Sequence, residues 1–203
     1  ARETLTDSRL FEPGIYQRAR AIVDEIRARG DAALREFTER FDGAKLNAEF
    51  LRVTQAELMS ASLKADDALR FAVAEAEKNV ANFAKKSLLK NWETRNSHGA
   101  RVGEKFDPFQ RVGVYIPGGK APLASTALMT ATLAKVAGCR EIVVCAPCGP
   151  DGAVNPALLF AARAAGASEI YRVGGAQAIA AMALGTNSIR RVQKIFGPGN
   201  AYV

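Results

Sequence analysis

The sequence is poor in the side chains that most enzymes use for acid–base and metal chemistry. Its 203 residues include one histidine and three cysteines. The histidine, His98, lies in an Asn-Ser-His-Gly stretch that is typical of a solvent-exposed turn. The sequence therefore predicts neither a histidine general base nor a metal site within this chain.

The cysteines do not suggest a disulfide framework, because their number is odd and no secretion signal opens the sequence. Cys145 and Cys148 form a C-x-x-C pair, but a Gly-Pro-Asp-Gly turn follows where a thioredoxin-like site would begin a helix. A zinc site would need two more ligands, and Cys139 is the one cysteine left. We interpret Cys145 as the end of a buried strand and Cys148 as a loop residue, and we expect a reducing, cytoplasmic compartment.

Long apolar runs and blocks of like charge are also missing. No run approaches the roughly 18 residues of a membrane span, and no block of about five like charges suggests a nucleic-acid interface. The net charge of +7 fits a solvated basic surface, or a site for a phosphate-bearing small molecule. We expect neither a membrane nor a nucleic acid as partner, and the hydrophobic content of 48% excludes disorder as the main state.

Residues 1–111 have the pattern of a helical region that ends in a hairpin. Apolar residues recur at helical spacing up to Gly30, where Asp31 is expected to cap a second helix. Thr54 and Glu57 have the spacing of a capping box, and Asp66 begins a long pattern. We expect the helices to carry three apolar stripes, the third of which could bury within its own domain or against a second subunit, and residues 92–105 to form the hairpin. The stripes are Ile15, Ala19, Ile22 and Ile26; Leu34, Phe37 and Phe41; and Leu69, Val73, Ala76, Val80 and Phe83.

Residues 112–203 alternate between strand and helix patterns. Strands are predicted near residues 112–116, 141–146, 169–173 and 192–196, with helices near 123–137, 155–166 and 176–184. This alternation predicts an α/β fold in which the helical region precedes a Rossmann-like parallel βαβ domain at 112–203. The helix expected after the last strand is missing, so we expect this domain to be truncated and the chain to be the front part of a longer protein.

Three of these strands end in glycine-rich turns, at residues 117–119, 174–175 and 197–199. In a parallel sheet these turns share the carboxyl edge, where α/β proteins bind ligands and where a helix amino terminus favours an anion such as a pyrophosphate. None completes a dinucleotide fingerprint, and the sequence has no phosphate-loop or G-x-S-x-G motif. The polar residues at the turns, Tyr115, Gln177 and Asn200, are candidates to orient a nucleotide-type ligand.

Four segments carry a family resemblance. They are Val-Gly-Val-Tyr-Ile-Pro-Gly-Gly at 112–119, Ala-Pro-Leu at 121–123, Val-Gly-Gly-Ala-Gln-Ala-Ile-Ala at 173–180 and Phe-Gly-Pro-Gly-Asn at 196–200. In order and spacing they resemble the nucleotide-binding part of histidinol dehydrogenase. Gly-Asp-Ala-Ala-Leu at 30–34, with Phe41 and Asp42 behind it, resembles the helical region of that family.

The resemblance implies a homodimeric enzyme that uses zinc and NAD to oxidise L-histidinol to L-histidine through the aldehyde, in histidine biosynthesis. It implies that Tyr115, Gln177 and Asn200 contact NAD. The catalytic residues and zinc ligands of the family are expected beyond Val203, so we expect none in this chain and no activity from these residues alone.

Two alternatives stay open. One is a related NAD-dependent dehydrogenase of another small alcohol, such as sulfopropanediol. Two segments favour this related enzyme: Met-Ala-Leu-Gly at 182–185 and Asn-Ala-Tyr-Val at 200–203. Two others favour histidinol as the substrate: Gly-Ala-Gln-Ala at 175–178 and Ala-Pro-Leu at 121–123. The other is a non-catalytic module for nucleotide binding or dimerisation.

Overall fold

The structure is a computed structural model, which describes residues 13–118 and 123–199. The first part is helical and ends in a hairpin, and the second alternates strands with helices. The helices are α1 Pro13–Arg29, α2 Asp31–Asp42, α3 Gln55–Lys64, α4 Asp67–Ser87, α5 Ala124–Val136, α6 Pro156–Ala164 and α7 Gly175–Leu184. The strands are β1 Trp92–Arg95, β2 Arg101–Glu104, β3 Arg111–Tyr115, β4 Glu141–Cys145, β5 Glu169–Tyr171 and β6 Lys194–Phe196. A short 3₁₀ helix spans Ala48–Phe50.

Strands β3 to β6 form one parallel sheet in the order β5-β4-β3-β6, while β1 and β2 form the separate antiparallel hairpin. The register aligns Val114 of β3 with Val144 of β4 and Val144 with Ile170 of β5. The α/β class and the parallel sheet predicted from the alternating pattern are therefore confirmed.

Helices cover both faces of the parallel sheet. Because successive strand residues point to opposite faces, β3, β4 and β5 each contribute side chains to two buried clusters. Val112, Val114 and Val144 belong to one buried cluster, which includes α5 and α6 backed by α3 and α4. Tyr115 and Val143 belong to the other, with α7, α1 and α2. None of the helices in residues 13–118 and 123–199 is long and apolar enough to cross a membrane.

The segment Leu51 to Val53 closes the outer edge of β5. The Val53 backbone N–H donates to the Ile170 carbonyl at 2.8 Å, and the Arg172 N–H donates to the Leu51 carbonyl at 2.9 Å. These bonds satisfy backbone groups that an edge strand would otherwise leave unpaired. The helical region thus contributes hydrogen bonds to the sheet as well as apolar cover.

Three details differ from the sequence prediction. Gly30, not Asp31, occupies the N-cap of α2, and the Asp31 carboxylate instead accepts a hydrogen bond from the Ser188 hydroxyl at 2.7 Å. Phe83 is 74% exposed and Phe41 is also exposed. The predicted stripe of α4 packs against the core at Leu69, Val73 and Ala76, and near its carboxyl end the buried residues are Ala81 and Ala84.

Candidate functional site

The loops that leave the parallel strands converge at the carboxyl edge of the sheet. Tyr115 ends β3 and pairs with Cys145, the last residue of β4, which in turn pairs with the last residue of β5. Pro147, in the loop after β4, lies between the other two loops. A Cβ atom at Gly118 would be 2.6 Å from its ring, and one at Gly174 would be 2.7 Å from it. The close packing of these loops supports the predicted crevice.

A cleft of about 700 Å³ opens at this edge. Its volume lies within the range of small-molecule sites, roughly 300–1,000 Å³. Its walls come from the loops after β3, β4 and β5 and from the carboxyl end of α2. The lining residues are Phe41, Asp42, Tyr115, Gly118, Pro147, Cys148, Gly149, Asp151, Ala153, Val154, Asn155, Pro156 and Gly175.

Tyr115 lines the cleft but is only 4% exposed. Its hydroxyl oxygen accepts a hydrogen bond from the Gly175 backbone N–H at 3.0 Å. Burial raises the pKa of the phenol, an effect that the Gly175 N–H opposes and the Asp42 carboxylate reinforces. Tyr115 therefore stays protonated at neutral pH, holds the loop before α7, and keeps its own O–H proton as a donor.

Gln177 lies in the first turn of α7, 1% exposed. Neither its amide nitrogen nor its amide oxygen has a hydrogen-bond partner. The amide sits directly behind Gly175, whose φ of +61° favours glycine and where a Cβ would lie 2.7 Å from the Gln177 Oε1. An unsatisfied buried polar group costs about 1–3 kcal/mol, so this amide is unfavourable for folding unless something else bonds to it.

Asp42 also lines the cleft, and the sequence analysis gave it no role at the site. It is the last residue of α2. Burial raises the pKa of its carboxyl group, against a hydrogen bond from the Gly174 backbone. Its Oδ2 atom is buried without a partner. The nearest signal was the Phe41-Asp42 pair within the family resemblance, but no local pattern connects the end of α2 with the sheet edge.

As predicted, Cys148 is a loop residue and Cys145 is buried at the end of β4. The structure adds that Cys148 lines the cleft. The Cys148 thiol donates a weak hydrogen bond to the Arg172 carbonyl at 3.8 Å. Burial, together with the nearby Asp42 carboxylate, raises the pKa of Cys148 to about 11. Since thiolates are the reactive form, this cysteine is unsuited to nucleophilic chemistry at neutral pH.

Arg172 fixes the position of the loop after β4, which forms one wall of the cleft and includes Gly152. Its guanidinium donates to the Gly152 carbonyl at 3.0 Å and to the Glu57 carboxylate at 2.7 Å. Glu57 is also the N3 residue of the capping box that Thr54 begins, as the spacing predicted. One side chain thus connects the start of α3 to the loop after β4, a role that the sequence analysis missed.

Asn200 lies outside the described residues. The turn before it does reach the site edge, because a Cβ at Gly197 would collide with the Tyr115 carbonyl oxygen. Of the predicted ligand-contacting residues, the structure places both Tyr115 and Gln177 next to Gly175. Within residues 13–118 and 123–199, no cluster of three or more His, Cys, Asp or Glu side chains could hold a metal ion.

Comparison with known proteins identifies the family. The family model of histidinol dehydrogenase matches residues 7–203. The chain is 49% identical over 193 residues to a histidinol dehydrogenase of Symbiobacterium thermophilum, covering 95% of this chain and 44% of that protein. It is 43% identical over 201 residues to one of Bacteroides thetaiotaomicron, covering 99% of this chain and 46% of that protein.

A solved structure agrees. The crystal structure of histidinol dehydrogenase from Elizabethkingia anophelis superposes with a TM-score of 0.88 and 36% identity, over 93% of this chain and 43% of that one. The chain therefore spans less than half the length of each of these relatives. The match over almost all its residues shows that the chain belongs to the histidinol dehydrogenase family.

Proposed function

We propose that this chain forms the dinucleotide-binding part of a zinc- and NAD-dependent dehydrogenase that oxidises L-histidinol to L-histidine through the aldehyde. Family membership supports the reaction class. Because the chain spans under half the length of its relatives, the complete reaction is proposed for the whole protein. On this proposal the protein is a homodimer, and exposed side chains such as Phe71, Phe83 and Trp92 offer apolar surface that a second subunit would cover.

One observation carries the assignment of the nucleotide site. The amide of Gln177 is buried and unpartnered directly behind Gly175, which lines a cleft of about 700 Å³. NAD, when bound, would supply the hydride acceptor of the reaction. The residues of this chain would bind and orient it: Gln177 through its amide, Tyr115 through its hydroxyl, and Asn200 as a third contact that the family resemblance implies.

The pyrophosphate needs a helix amino terminus whose N–H groups are free. At the start of α7, the Gly175 N–H is already bound to the Tyr115 hydroxyl. The start of α6 is capped by the Asn155 side chain. The N-cap residue of α5 is Leu123, whose side chain has no acceptor to cap the N–H groups of the first turn. We therefore place the pyrophosphate near α5, which follows β3, rather than at the start of α7.

Zinc does not fit the described residues, since they contain no suitable cluster of ligands. We assign no step of the reaction in this chain to the metal. What the chain contributes on this proposal is the binding and orientation of the dinucleotide.

Binding of NAD⁺ to the purified protein, measured by isothermal titration calorimetry, tests the site. Gln177→Leu removes the unpartnered amide and keeps a similar volume, so we expect at least a tenfold weaker affinity, about 1.4 kcal/mol, together with an unchanged or higher melting temperature. Tyr115→Phe removes the hydroxyl with little loss of packing and is also expected to weaken binding.

Gln193→Leu is the matched control. The Gln193 Oε1 accepts from the Gln110 N–H at 2.6 Å and from the Arg111 N–H at 3.2 Å, away from the cleft. This variant should lose stability and keep its affinity for NAD⁺. Unchanged affinity in both Gln177→Leu and Tyr115→Phe would overturn the assignment of the site.

A further inference from the structure

The carboxylate of Asp42 is in an unfavourable position for a group with only a structural role. It lies at the carboxyl end of α2, where the helix dipole disfavours negative charge. It is partly buried, and its Oδ2 atom is inaccessible to solvent and has no partner. The fold therefore leaves one oxygen of a carboxylate that lines the cleft without a hydrogen bond.

The surroundings define what that group can be. Asp42 and Asp151 are acidic, and none of the other described residues lining the cleft is basic. The Asp151 Oδ1 already accepts from the Ala153 N–H at 3.0 Å. A phosphate would be repelled at this end of the cleft, whereas a neutral group that donates hydrogen bonds would be attracted.

A second observation points to a ligand at the same place. Asp42 shares the cleft wall with Gly175, and Gly175 covers the buried and unpartnered amide of Gln177. Two unsatisfied polar groups from different elements therefore belong to residues at or next to the wall of this cleft. The described residues satisfy neither group.

We propose that Asp42 determines specificity at this site, by accepting a hydrogen bond at its carboxylate from a ribose hydroxyl of the dinucleotide. The inference rests on the proposed function and adds to it a residue from the helical region that selects an unphosphorylated ribose. A phosphate on that ribose would meet the Asp42 carboxylate directly. Asp42 thus does from α2 what a carboxylate on the sheet does in the standard dinucleotide fold.

The test measures binding of NAD⁺, NADP⁺, AMP and nicotinamide mononucleotide by isothermal titration calorimetry to the full protein and to Asp42→Asn. Loss of a hydrogen bond to a charged acceptor corresponds to about a tenfold change in affinity. We expect the variant to bind NAD⁺ about tenfold more weakly than the unmodified protein, with no drop in melting temperature, because asparagine removes a buried charge. Weaker AMP binding and a gain for NADP⁺ would place the contact on the adenosine ribose. Weaker nicotinamide mononucleotide binding would place it on the other ribose.

Asp107→Asn is the matched control, because it removes an exposed carboxylate that pairs with Lys105 away from the cleft and should leave the NAD⁺ affinity within about twofold. Asp42→Ser, which keeps an oxygen but no charge, provides a second variant with the same expected loss. The inference fails if NAD⁺ binds to the unmodified protein, weakens in Gln177→Leu, and is unchanged in the Asp42 variants. If NAD⁺ does not bind to the unmodified protein at all, the proposed function fails with it.

Discussion

Gly175 is the residue on which the two predicted ligand contacts depend. Its N–H bonds to the Tyr115 hydroxyl, and its missing side chain leaves room for the Gln177 amide. Its φ of +61° lies in a region that costs other residues about 1–2 kcal/mol. The turn can therefore be built only with glycine if both neighbours are to keep their positions.

We expect Gly175→Ala to lower the free energy of unfolding by about 1–2 kcal/mol and to weaken NAD⁺ binding further than this strain alone explains, because the new Cβ displaces the Gln177 amide. Urea unfolding and calorimetric titration measure the two effects. Gly14→Ala is the control: Gly14 lies in α1 with no atom within 4 Å of its would-be Cβ, so alanine should stabilise the protein slightly. A Gly175→Ala protein that binds NAD⁺ normally would contradict this account.

At the scale of single residues, the sequence predicts Tyr115 and Gln177 as ligand contacts, because Tyr115 ends a strand before a glycine-rich turn and Gln177 follows another such turn. It missed Asp42 because that residue reaches the cleft only through the packing of α2 against α7. The burial of Gln177 behind Gly175 could not be predicted either, since it depends on the path of one turn rather than on residue type.

Among the structural elements, α3 is stabilised at its start by the Glu57 carboxylate, which both completes the capping box and pairs with Arg172. Glu57 accepts from the Thr54 N–H in the capping box and from Arg172, whose side chain is 7% exposed. Burial alone would raise the pKa of Glu57, but the bonds from Arg172 and Thr54 outweigh it and lower the pKa. Glu169 is similar, because burial is outweighed by Arg111 and its pKa is lowered.

These lowered pKa values determine how the free energy of unfolding changes as the pH falls. The folded state binds protons at Glu57 and Glu169 more weakly than the unfolded chain does, so the stabilisation is present above pH 4.5, the ordinary pKa of glutamate. It is lost progressively as the pH falls below that value. The free energy of unfolding should therefore decline steadily in this range.

Glu57→Gln separates the two tasks, since glutamine can complete a capping box but cannot pair with Arg172 as an ion. We expect a loss of about 2 kcal/mol at pH 7, because the buried guanidinium keeps only neutral partners, and a flatter decline of stability below pH 4.5. Urea unfolding at a series of pH values measures both. The control Glu93→Gln, in an exposed pair with Arg101, should change stability by less than about 0.5 kcal/mol. Equal effects of the two changes would contradict the role given to Glu57.

The elements themselves were largely predictable. The Thr54–Glu57 capping box, the hairpin and the four parallel strands lie where the local patterns placed them. The stripe of α4 packs against the core at Leu69, Val73 and Ala76 but leaves Phe83 exposed, because spacing shows that a helix has an apolar face but not how much of it the same chain covers.

For the whole molecule, the helical region and the sheet stabilise each other. Leu51 and Val53 bond to the edge of β5, Arg172 pairs with Glu57, and α7 packs against α1. Residues 112–203, which the sequence suggests as a nucleotide-binding domain, would lose all of these contacts if separated.

We expect residues 112–203, produced alone, to lack cooperative unfolding, because the apolar faces of α5, α6 and α7 and a buried guanidinium would be exposed. Thermal unfolding followed by circular dichroism, compared with the complete 203-residue chain, measures this. A sharp transition in the fragment would show instead that the sheet and its three helices suffice. The sequence could not predict this dependence, since the contacts join residues more than 100 positions apart.

The strand order also determines at which edge the sheet can be extended by another strand. The Leu51–Val53 segment occupies the flank of β5, whereas no strand among the described residues pairs with the far side of β6. The backbone groups on that side of β6 can accept another parallel strand, as in the 3-2-1-4-5-6 arrangement of dinucleotide folds. Additional chain in a longer relative, or a strand from a neighbouring molecule, would therefore join beside Lys194–Phe196 and extend the sheet away from β5.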